Sequence, residues 1–260
     1  MLDADTASPP VLSIDGARAT IRLNRPAHLN RLLADDLTAL LAQFVQIDAD
    51  PSIRVLVLTG TGRAFSGGFD LEEISARASS ETESDSSAAV FGAVVDCLEA
   101  LRVPTICRLN GGVYGGATDL ALACDFRIGA DNAEMFMPAA RLGLHYYPSG
   151  IKRYVSRLGV DNAKKLFLTA QRIDADEMLR IGYLTTMVPM DRLDREVNAL
   201  ATALAGHAPN AVAGMKRAIN EFARQALDEP AADARSRASM RSDEIKEGIA
   251  AFKEKRAPRF

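Results

Sequence analysis

A single acidic residue follows a glycine-rich turn near the middle of the chain. Residues 111–125 read GGVYGGATDLALACD, which places Asp119 in the first turn of a predicted helix. Glycines let backbone N–H groups approach a ligand closely, and a helix N-terminus presents unpaired donors that carry partial positive charge. Together they predict a site where a carbonyl oxygen becomes an anion, with a carboxylate beside it to move protons. This is the chemistry of an enzyme.

The predicted elements around this turn alternate between short strands and helices. Apolar and β-branched runs predict strands at 11–14, 19–23, 53–60, 105–109, 126–129 and 135–137. Helical spacing of apolar residues covers 32–45 and the segment up to Leu98, and it dominates from about Gly150 onward. Repeated strand–glycine turn–helix units followed by helices predict an α/β fold with an appended helical region.

A second glycine turn precedes a strongly polar segment. The turn reads FSGGFDL at residues 65–71, and residues 77–88 are rich in Ser, Glu and Asp. We expect the turn to open another helix, and the polar segment to form a mobile loop over a site.

Composition excludes several classes of function. A formal net charge of −3 gives no reason to expect nucleic acid as a partner. No apolar run is long enough to cross a bilayer and no basic-then-apolar signal pattern is present, so we expect a cytoplasmic protein without membrane contact. Cys97, Cys107 and Cys124 lie in apolar runs and predict buried, reduced thiols.

An ordered set of segments resembles the crotonase (enoyl-CoA hydratase/isomerase) superfamily. The segments extend from about residue 11 to the end of the chain, and a lone glycine turn would be far weaker evidence. They are LNRP at 23–26, FSGGFDL at 65–71, PT at 104–105 through NG at 110–111, GGATDLALACDFRIGA at 115–130, LG at 142–143, Gly150 with Arg153, LTA at 168–170 and FKEKRAPRF at 252–260.

The resemblance implies a crotonase-like spiral of βα units over residues 1–200 and a C-terminal helical trimerisation region over 201–260. The protein would assemble as a homotrimer or as a hexamer, a dimer of trimers. Its substrate would be an acyl-CoA thioester. The resemblance implies no metal and no nucleotide or redox cofactor, because coenzyme A is part of the substrate.

Two backbone amides would grip the thioester oxygen in such a protein. By position they belong to Phe69, after the first glycine turn, and to Gly116, in the second. Preformed donors aimed at a developing oxyanion are worth ~3 kcal/mol each. The other interpretation of these glycines is tight packing between a helix and a strand.

Contacts with coenzyme A are implied at two places. Arg25 and the turn that contains Gly67, Gly68 and Asp70 would flank the nucleotide and the pantetheine arm, and Gly115 would line the site from the second turn. A guanidinium suits phosphate. The alternative interpretation of Arg25 is a solvated surface arginine without a ligand contact.

The chain departs from the family at its carboxylates. Hydratases of the family use two glutamates; here Asp119 occupies the first position and Ala139, directly after Pro138, the second. Hydration needs one group to orient water and another to deliver a proton, so the missing role must pass elsewhere. Asp119 could also act only as a helix-capping acid.

Replacement polar groups lie in the segment GLHYYPSG at 143–150. His145 can carry a proton near neutral pH, and Tyr146 or Tyr147 can donate a hydrogen bond to a substrate anion. Alternatively, the aromatic rings only form the wall of a pocket. We assign auxiliary polar roles to His145 and Tyr146.

The sequence therefore predicts an acyl-CoA enzyme that stabilises a thioester enolate, with Asp119 as its acid/base. Two alternatives stay open. The segment 142–151 is similar to the loop of methylmalonyl-CoA decarboxylases, which lack the second glutamate and keep a tyrosine at the position of Tyr146, but typically have histidine at that of Phe69. The other alternative is a crotonase fold that binds acyl-CoA without turnover.

Overall fold

The computed structural model describes residues 7–70 and 87–260. The strands are β1 Val11–Asp15, β2 Arg18–Leu23, β3 Val55–Gly60, β4 Ala64–Ser66, β5 Thr105–Leu109, β6 Gly112–Tyr114, β7 Phe126–Ala130, β8 Glu134–Phe136, β9 Arg172–Asp174 and β10 Thr186–Val188. The helices are α1 Ala34–Ala49, α2 Ser87–Ala100, α3 Ala117–Ala123, α4 Pro148–Leu158, α5 Val160–Thr169, α6 Ala175–Arg180, α7 Leu193–Ala205, α8 Pro209–Ala223, α9 Glu229–Ser239 and α10 Asp243–Glu254. Short 3₁₀ turns cover Pro26–His28, Ala139–Leu142 and Met190–Arg192.

The strands form two sheets. The larger has six strands in the order β1-β2-β3-β5-β7-β10, and the smaller has four in the order β4-β6-β8-β9. Only the pairs β1–β2 and β8–β9 are antiparallel; every other pair is parallel. From β3 to β8, successive strands alternate between the two sheets. In this part of the chain, β4 and β6 of the smaller sheet each end beside a glycine turn.

The central strand β3 shows why the larger sheet is covered on both faces. All six of its residues are buried. Leu56 and Leu58 belong to the main core, whereas Val55 and Val57 belong to a second core that α7 covers. Successive side chains of a strand point to opposite faces, so a parallel strand with helices on both sides needs an uninterrupted apolar run.

Most predicted elements are confirmed, with shifted ends. The strands predicted at 11–14, 19–23, 105–109, 126–129 and 135–137 and the helix up to Leu98 all form. The strand predicted from 53 begins at Val55, and the helix predicted over 32–45 spans Ala34–Ala49. The α/β class is confirmed.

Three expectations need comment. Cys97 is exposed, so the prediction of a buried thiol is wrong there; Val94, Val95 and Leu98 occupy the core face of α2, and Cys97 faces away from it. Strands β9 and β10 interrupt the part predicted as mostly helical. The helix expected after Asp70 and the loop expected at 77–88 lie outside the described residues, apart from residues 87 and 88, which begin α2.

The last helices carry a row of exposed apolar side chains. On α8 these are Met215, Ile219 and Phe222, which are 59%, 67% and 72% exposed, and on α10 Phe252 is 87% exposed. The predicted boundary between residues 200 and 201 falls within α7, and the division into two regions stays a prediction. Among the described helices, none has the length and apolarity that a membrane span requires.

Candidate active site

Two glycine turns meet at the edge of the smaller sheet. A β-carbon at Gly68 would lie 2.6 Å from the carbonyl oxygen of Tyr114 and 3.1 Å from the amide nitrogen of Gly116. Gly68 also has a φ of +88°, a conformation that side chains rarely adopt. The backbone of the first turn therefore packs directly against the start of α3, and only glycine permits this approach.

The hydrogen bonds of the first turn leave one amide unused. The amide of Gly67 donates to Leu29, that of Gly68 donates to the Ser66 hydroxyl, and that of Asp70 donates to Leu32. Between them, the Phe69 amide has no acceptor among the residues that the structure describes. Phe69 is half-buried, so its amide is available to water or to an external acceptor such as a ligand oxygen.

The second turn has the same property. The Gly115 amide donates to Phe136, and the Thr118 and Asp119 amides donate to the carbonyls of Gly115 and Gly116. The Gly116 amide, at the helix start, donates to none of the described residues. A helix of seven residues leaves its first amides unpaired by construction.

A cavity of about 520 Å³ lies over both turns. Phe69, Gly116, Gly67 and Gly115 line it, together with Leu29, Phe91, Tyr114, Phe136, Met137, Pro138, Ala139, Leu142, Leu144, His145, Tyr146, Tyr147 and Arg172. This volume and this mostly apolar lining are typical of sites for small organic ligands. The two residues with unpaired amides, Phe69 and Gly116, therefore line the same cavity.

Asp119 lies beneath this cavity and is fully buried. Its Oδ2 accepts hydrogen bonds from the Tyr147 hydroxyl and, at 2.7 Å, from Arg153. Burial raises the pKa of Asp119, against the opposing effects of the Arg153 charge and the Tyr147 hydrogen bond. The helix-capping alternative is wrong, because the carboxylate bonds to side chains from α4 and its N-cap and not to backbone donors.

Arg153 connects Asp119 to a larger ionic network. Its guanidinium is 1% exposed and also reaches Asp96 at 2.5 Å and Glu99 at 3.2 Å. Burial disfavours the Arg153 charge, but Asp119 and Glu99 outweigh it and raise the pKa of Arg153. Glu99 in turn accepts from Arg157 at 3.0 Å and from Arg224, at the end of α8.

The charges in this network hold Glu99 ionised. Burial would raise its pKa, but Arg153, Arg157 and Arg224 together lower it below the ordinary value. Attraction to three guanidinium groups offsets the loss of hydration that burial imposes on the Glu99 carboxylate. The network therefore holds Arg153 in position, and Arg153 in turn holds the Asp119 carboxylate.

Tyrosines separate Asp119 from the cavity. Tyr146 and Tyr147 stack with ring centroids 4.5 Å apart, and Tyr146 also packs against Phe167 at 5.1 Å. Burial raises the pKa of both phenols, so both are protonated donors. The Tyr146 hydroxyl is buried and has no hydrogen-bond partner among the described residues.

Comparison with known proteins decides the family. A sequence profile of the enoyl-CoA hydratase/isomerase family matches residues 14–260. The chain belongs to the enoyl-CoA hydratase/isomerase family. The expectations of crotonase superfamily membership, of its fold and of an enzyme are thereby confirmed.

Individual relatives are similar to this hydratase/isomerase family member over nearly its whole length. A probable enoyl-CoA hydratase of Mycobacterium tuberculosis is 34% identical over 92% of this chain and 93% of its own. The crotonyl-CoA hydratase of Syntrophomonas wolfei is 33% identical over 96% of each chain. The solved structure of an enoyl-CoA hydratase/carnithine racemase from Magnetospirillum magneticum is 30% identical, with a TM-score of 0.92 over 100% of this chain and 97% of that one.

Ala139 occupies the position that the resemblance assigns to the family's second glutamate, and it is an uncharged part of the cavity wall. Ala139 is 4% exposed, lines the cavity and begins a 3₁₀ turn that Pro138 precedes. His145 lines the cavity and is exposed, and its Nδ1 lies 2.9 Å from the Tyr146 carbonyl oxygen. None of the described lining residues is an acid.

The residues assigned to coenzyme A divide into two groups. Gly67 and Gly115 line the cavity, and Gly68 forms the contact between the turns. Arg25 makes its ion pair with Asp36, at 2.9 Å, and Asp70 pairs with Arg31 at 2.7 Å. Neither charged residue is among the described lining residues, and their contacts with coenzyme A stay predictions.

The sequence did not single out two residues that the structure brings to the site. Arg153 entered only as part of a resembling segment, and Arg172 was not considered. Arg172 lines the cavity, pairs with Glu134 at 2.8 Å and lies 4.9 Å from the centre of the Phe136 ring. The spacing of Gly150 and Arg153, one helical turn apart, is the signal that could have pointed to Arg153.

Proposed function

We propose that this protein converts an acyl-CoA thioester through an enolate whose oxygen is bound by the amides of Phe69 and Gly116. The observation that carries the proposal is the pair of unpaired amides beside one cavity, on two turns that Gly68 holds in contact. An enolate oxygen is an anion, and two fixed N–H donors stabilise it without reorganisation.

The proton chemistry is assigned to the acid beneath the cavity. Burial raises the pKa of Asp119, so its protonated form is more accessible than that of an exposed aspartate, as an acid/base group requires. We propose an auxiliary polar role for Tyr146, which lines the cavity and whose hydroxyl is buried without a partner among the described residues. His145, which lines the cavity and is exposed, is assigned an auxiliary polar role.

The lack of an acid in the described lining favours a second candidate reaction. A hydratase needs a group that orients water, and Ala139 supplies none. Decarboxylation of a malonyl-type thioester leaves the enolate without needing a base, and an uncharged wall with Arg172 at its edge tolerates the substrate carboxylate. Methylmalonyl-CoA decarboxylation is therefore the alternative to hydration or double-bond migration.

A panel of thioesters tests the proposal. The protein is incubated with crotonyl-CoA, 3-hexenoyl-CoA and methylmalonyl-CoA, each followed by mass, and with butyryl-CoA in D₂O, where an enolate exchanges α-hydrogen for deuterium. Conversion of one substrate, or exchange, supports the enolate. Tight binding of all four without conversion or exchange would overturn it and favour the non-catalytic binder.

A homotrimer, or a hexamer of two trimers, is proposed for the assembly. The exposed apolar side chains of α8 and α10 support it, because large apolar side chains exposed in a row on one helix are typical of an interface. Light scattering coupled to gel filtration measures the mass directly. Replacement of Phe222 by Asp is expected to reduce it.

A further inference from the structure

Asp119, the proposed acid, does not itself reach the cavity. It is fully buried, and it is not among the described residues that line the cavity. Tyr147 lines the cavity and donates its hydroxyl hydrogen to Asp119 Oδ2. A proton that passes between Asp119 and a bound acyl chain therefore has a phenol in its path.

The fold fixes this phenol in place. Tyr147 is the N-cap of α4, with Pro148 in the first helical turn, so its backbone is rigid. Its ring packs on α2, where a β-carbon at Gly92 would lie 3.2 Å from Tyr147 Cδ2. The Phe91 ring meets it edge-on at 6.1 Å, and Tyr146 covers the other side.

The acid is fixed just as firmly. Arg153 binds the same oxygen of Asp119 that accepts from Tyr147, so the carboxylate cannot turn away without losing both bonds. A β-carbon at Gly150 would lie 2.9 Å from Asp119 Oδ2. Glycine at position 150 therefore leaves the room that Asp119 Oδ2 needs to accept from both the Tyr147 hydroxyl and the Arg153 guanidinium.

We propose that Tyr147 is the catalytic residue that transfers protons to and from the acyl chain, and that Asp119 acts through it. The proposal rests on the proposed enolate chemistry. In one direction the Tyr147 oxygen takes an α-hydrogen of the thioester as a proton while Asp119 takes the phenol proton. The C–H electron pair moves into the enolate, and the charge reaches the oxygen bound by the two amides.

The reverse step protonates the enolate. The enolate electron pair forms a new C–H bond with the Tyr147 hydroxyl proton, the thioester carbonyl is restored, and the Asp119 carboxyl proton moves to the Tyr147 oxygen. This returns Asp119 to the carboxylate that the first step requires, and deuterium enters when the Asp119 carboxyl proton exchanges with solvent before the reverse step. No free phenolate forms, which matters because burial and the adjacent carboxylate both disfavour it.

Exchange of α-hydrogen in butyryl-CoA tests this path without knowledge of the natural substrate. The rate is measured by NMR in D₂O for the wild type, Tyr147→Phe, Asp119→Asn and the double variant. Tyr183→Phe is the control, because it removes a fully buried hydroxyl bonded to the Thr118 carbonyl and away from the cavity. Calorimetry gives the Kd for butyryl-CoA, and circular dichroism gives the Tm.

Loss of a positioned proton-transfer group lowers a rate about 10²–10⁴-fold. We expect that loss in Tyr147→Phe, with the Kd within threefold of the wild type and a Tm close to that of Tyr183→Phe, which exchanges normally. Two residues in series act as one unit, so the double variant should be no slower than the slower single variant.

Each other outcome overturns the proposal. Exchange in Tyr147→Phe at the wild-type rate refutes the path while the enolate proposal stands. Losses that multiply in the double variant show that the two residues act independently. An equal rise in Kd and fall in rate shows that Tyr147 only binds substrate. Absence of exchange in the wild type refutes the enolate proposal itself and the path with it.

Discussion

Substitution of Gly68 by alanine separates the two glycine turns. The new β-carbon would start 2.6 Å from the Tyr114 carbonyl oxygen, and ordinary contact begins at 3.4 Å, so the turns must open by about 0.8 Å. Oxyanion donors act over 2.7–3.1 Å, and loss of one donor lowers kcat by about 10²–10³-fold, or about 2.7–4 kcal/mol. We expect Gly68→Ala to slow butyryl-CoA exchange by that factor.

Gly182→Ala is the matched control for this substitution. Gly182 also has a positive φ, of +78°, but a β-carbon there would meet nothing within 4 Å. Both variants carry the backbone strain of a side chain in the left-handed region, about 1–2 kcal/mol. Overpacking adds about 1–3 kcal/mol for Gly68→Ala alone.

Denaturant unfolding followed by circular dichroism measures the stability difference between the two variants, and NMR measures the exchange. We expect Gly182→Ala to exchange at the wild-type rate despite its strain. If Gly68→Ala exchanges as fast as Gly182→Ala, the contact between the turns does not set the position of the donors, and the reasoning fails.

Three further predictions concern the cavity wall and the ionic network. Ala139→Glu restores a carboxylate to the wall, so crotonyl-CoA hydration followed by absorbance should rise at least tenfold, whereas the neighbouring exposed Ala140→Glu should leave it unchanged. Arg153→Met removes the cation beside the buried Asp119 and one of the three beside Glu99, and should lower the free energy of unfolding by about 3–5 kcal/mol, against about 0–1 for the exposed ion pair lost in Arg172→Met. Folding holds the pKa of Glu99 below its ordinary 4.5, so unfolding takes up a proton there and the free energy of unfolding falls as the pH drops below about 4.5. Urea titrations at several pH values should show a shallower decline for Glu99→Gln than for the wild type. An equally steep decline would contradict the assignment of Glu99 as an ionised carboxylate.

The sequence was sufficient for the elements whose patterns are local. The buried run at 53–60 and the strand at 105–109 could be predicted because parallel strands covered on both faces are apolar throughout. The two glycine turns and Asp119 could be found because the family resemblance falls on contiguous residues. Strands β9 and β10, three residues each, were missed because such short runs have no period to detect; the equally short β8 was predicted from the wholly apolar run at 135–137.

The relations between distant side chains could not be predicted. Nothing local to Asp119 indicates that Tyr147, 28 residues later, binds its carboxylate and stands between it and the cavity. For Arg25, the sequence could not distinguish a coenzyme A contact from a solvated surface arginine, and its ion pair with Asp36 depends on the folded chain. Such pairings depend on how helices pack, and packing is set by the whole chain.

The hydrogen bond between Arg224 and Glu99 joins residues 125 positions apart in the chain. During synthesis, α2 and its acid leave the ribosome long before the cation that completes their charge balance. A nascent chain that has formed both sheets but not this helix therefore lacks one of the three guanidinium partners of Glu99. Docking of the late-made helix completes that ionic network, although none of the described residues that line the cavity belongs to the helix.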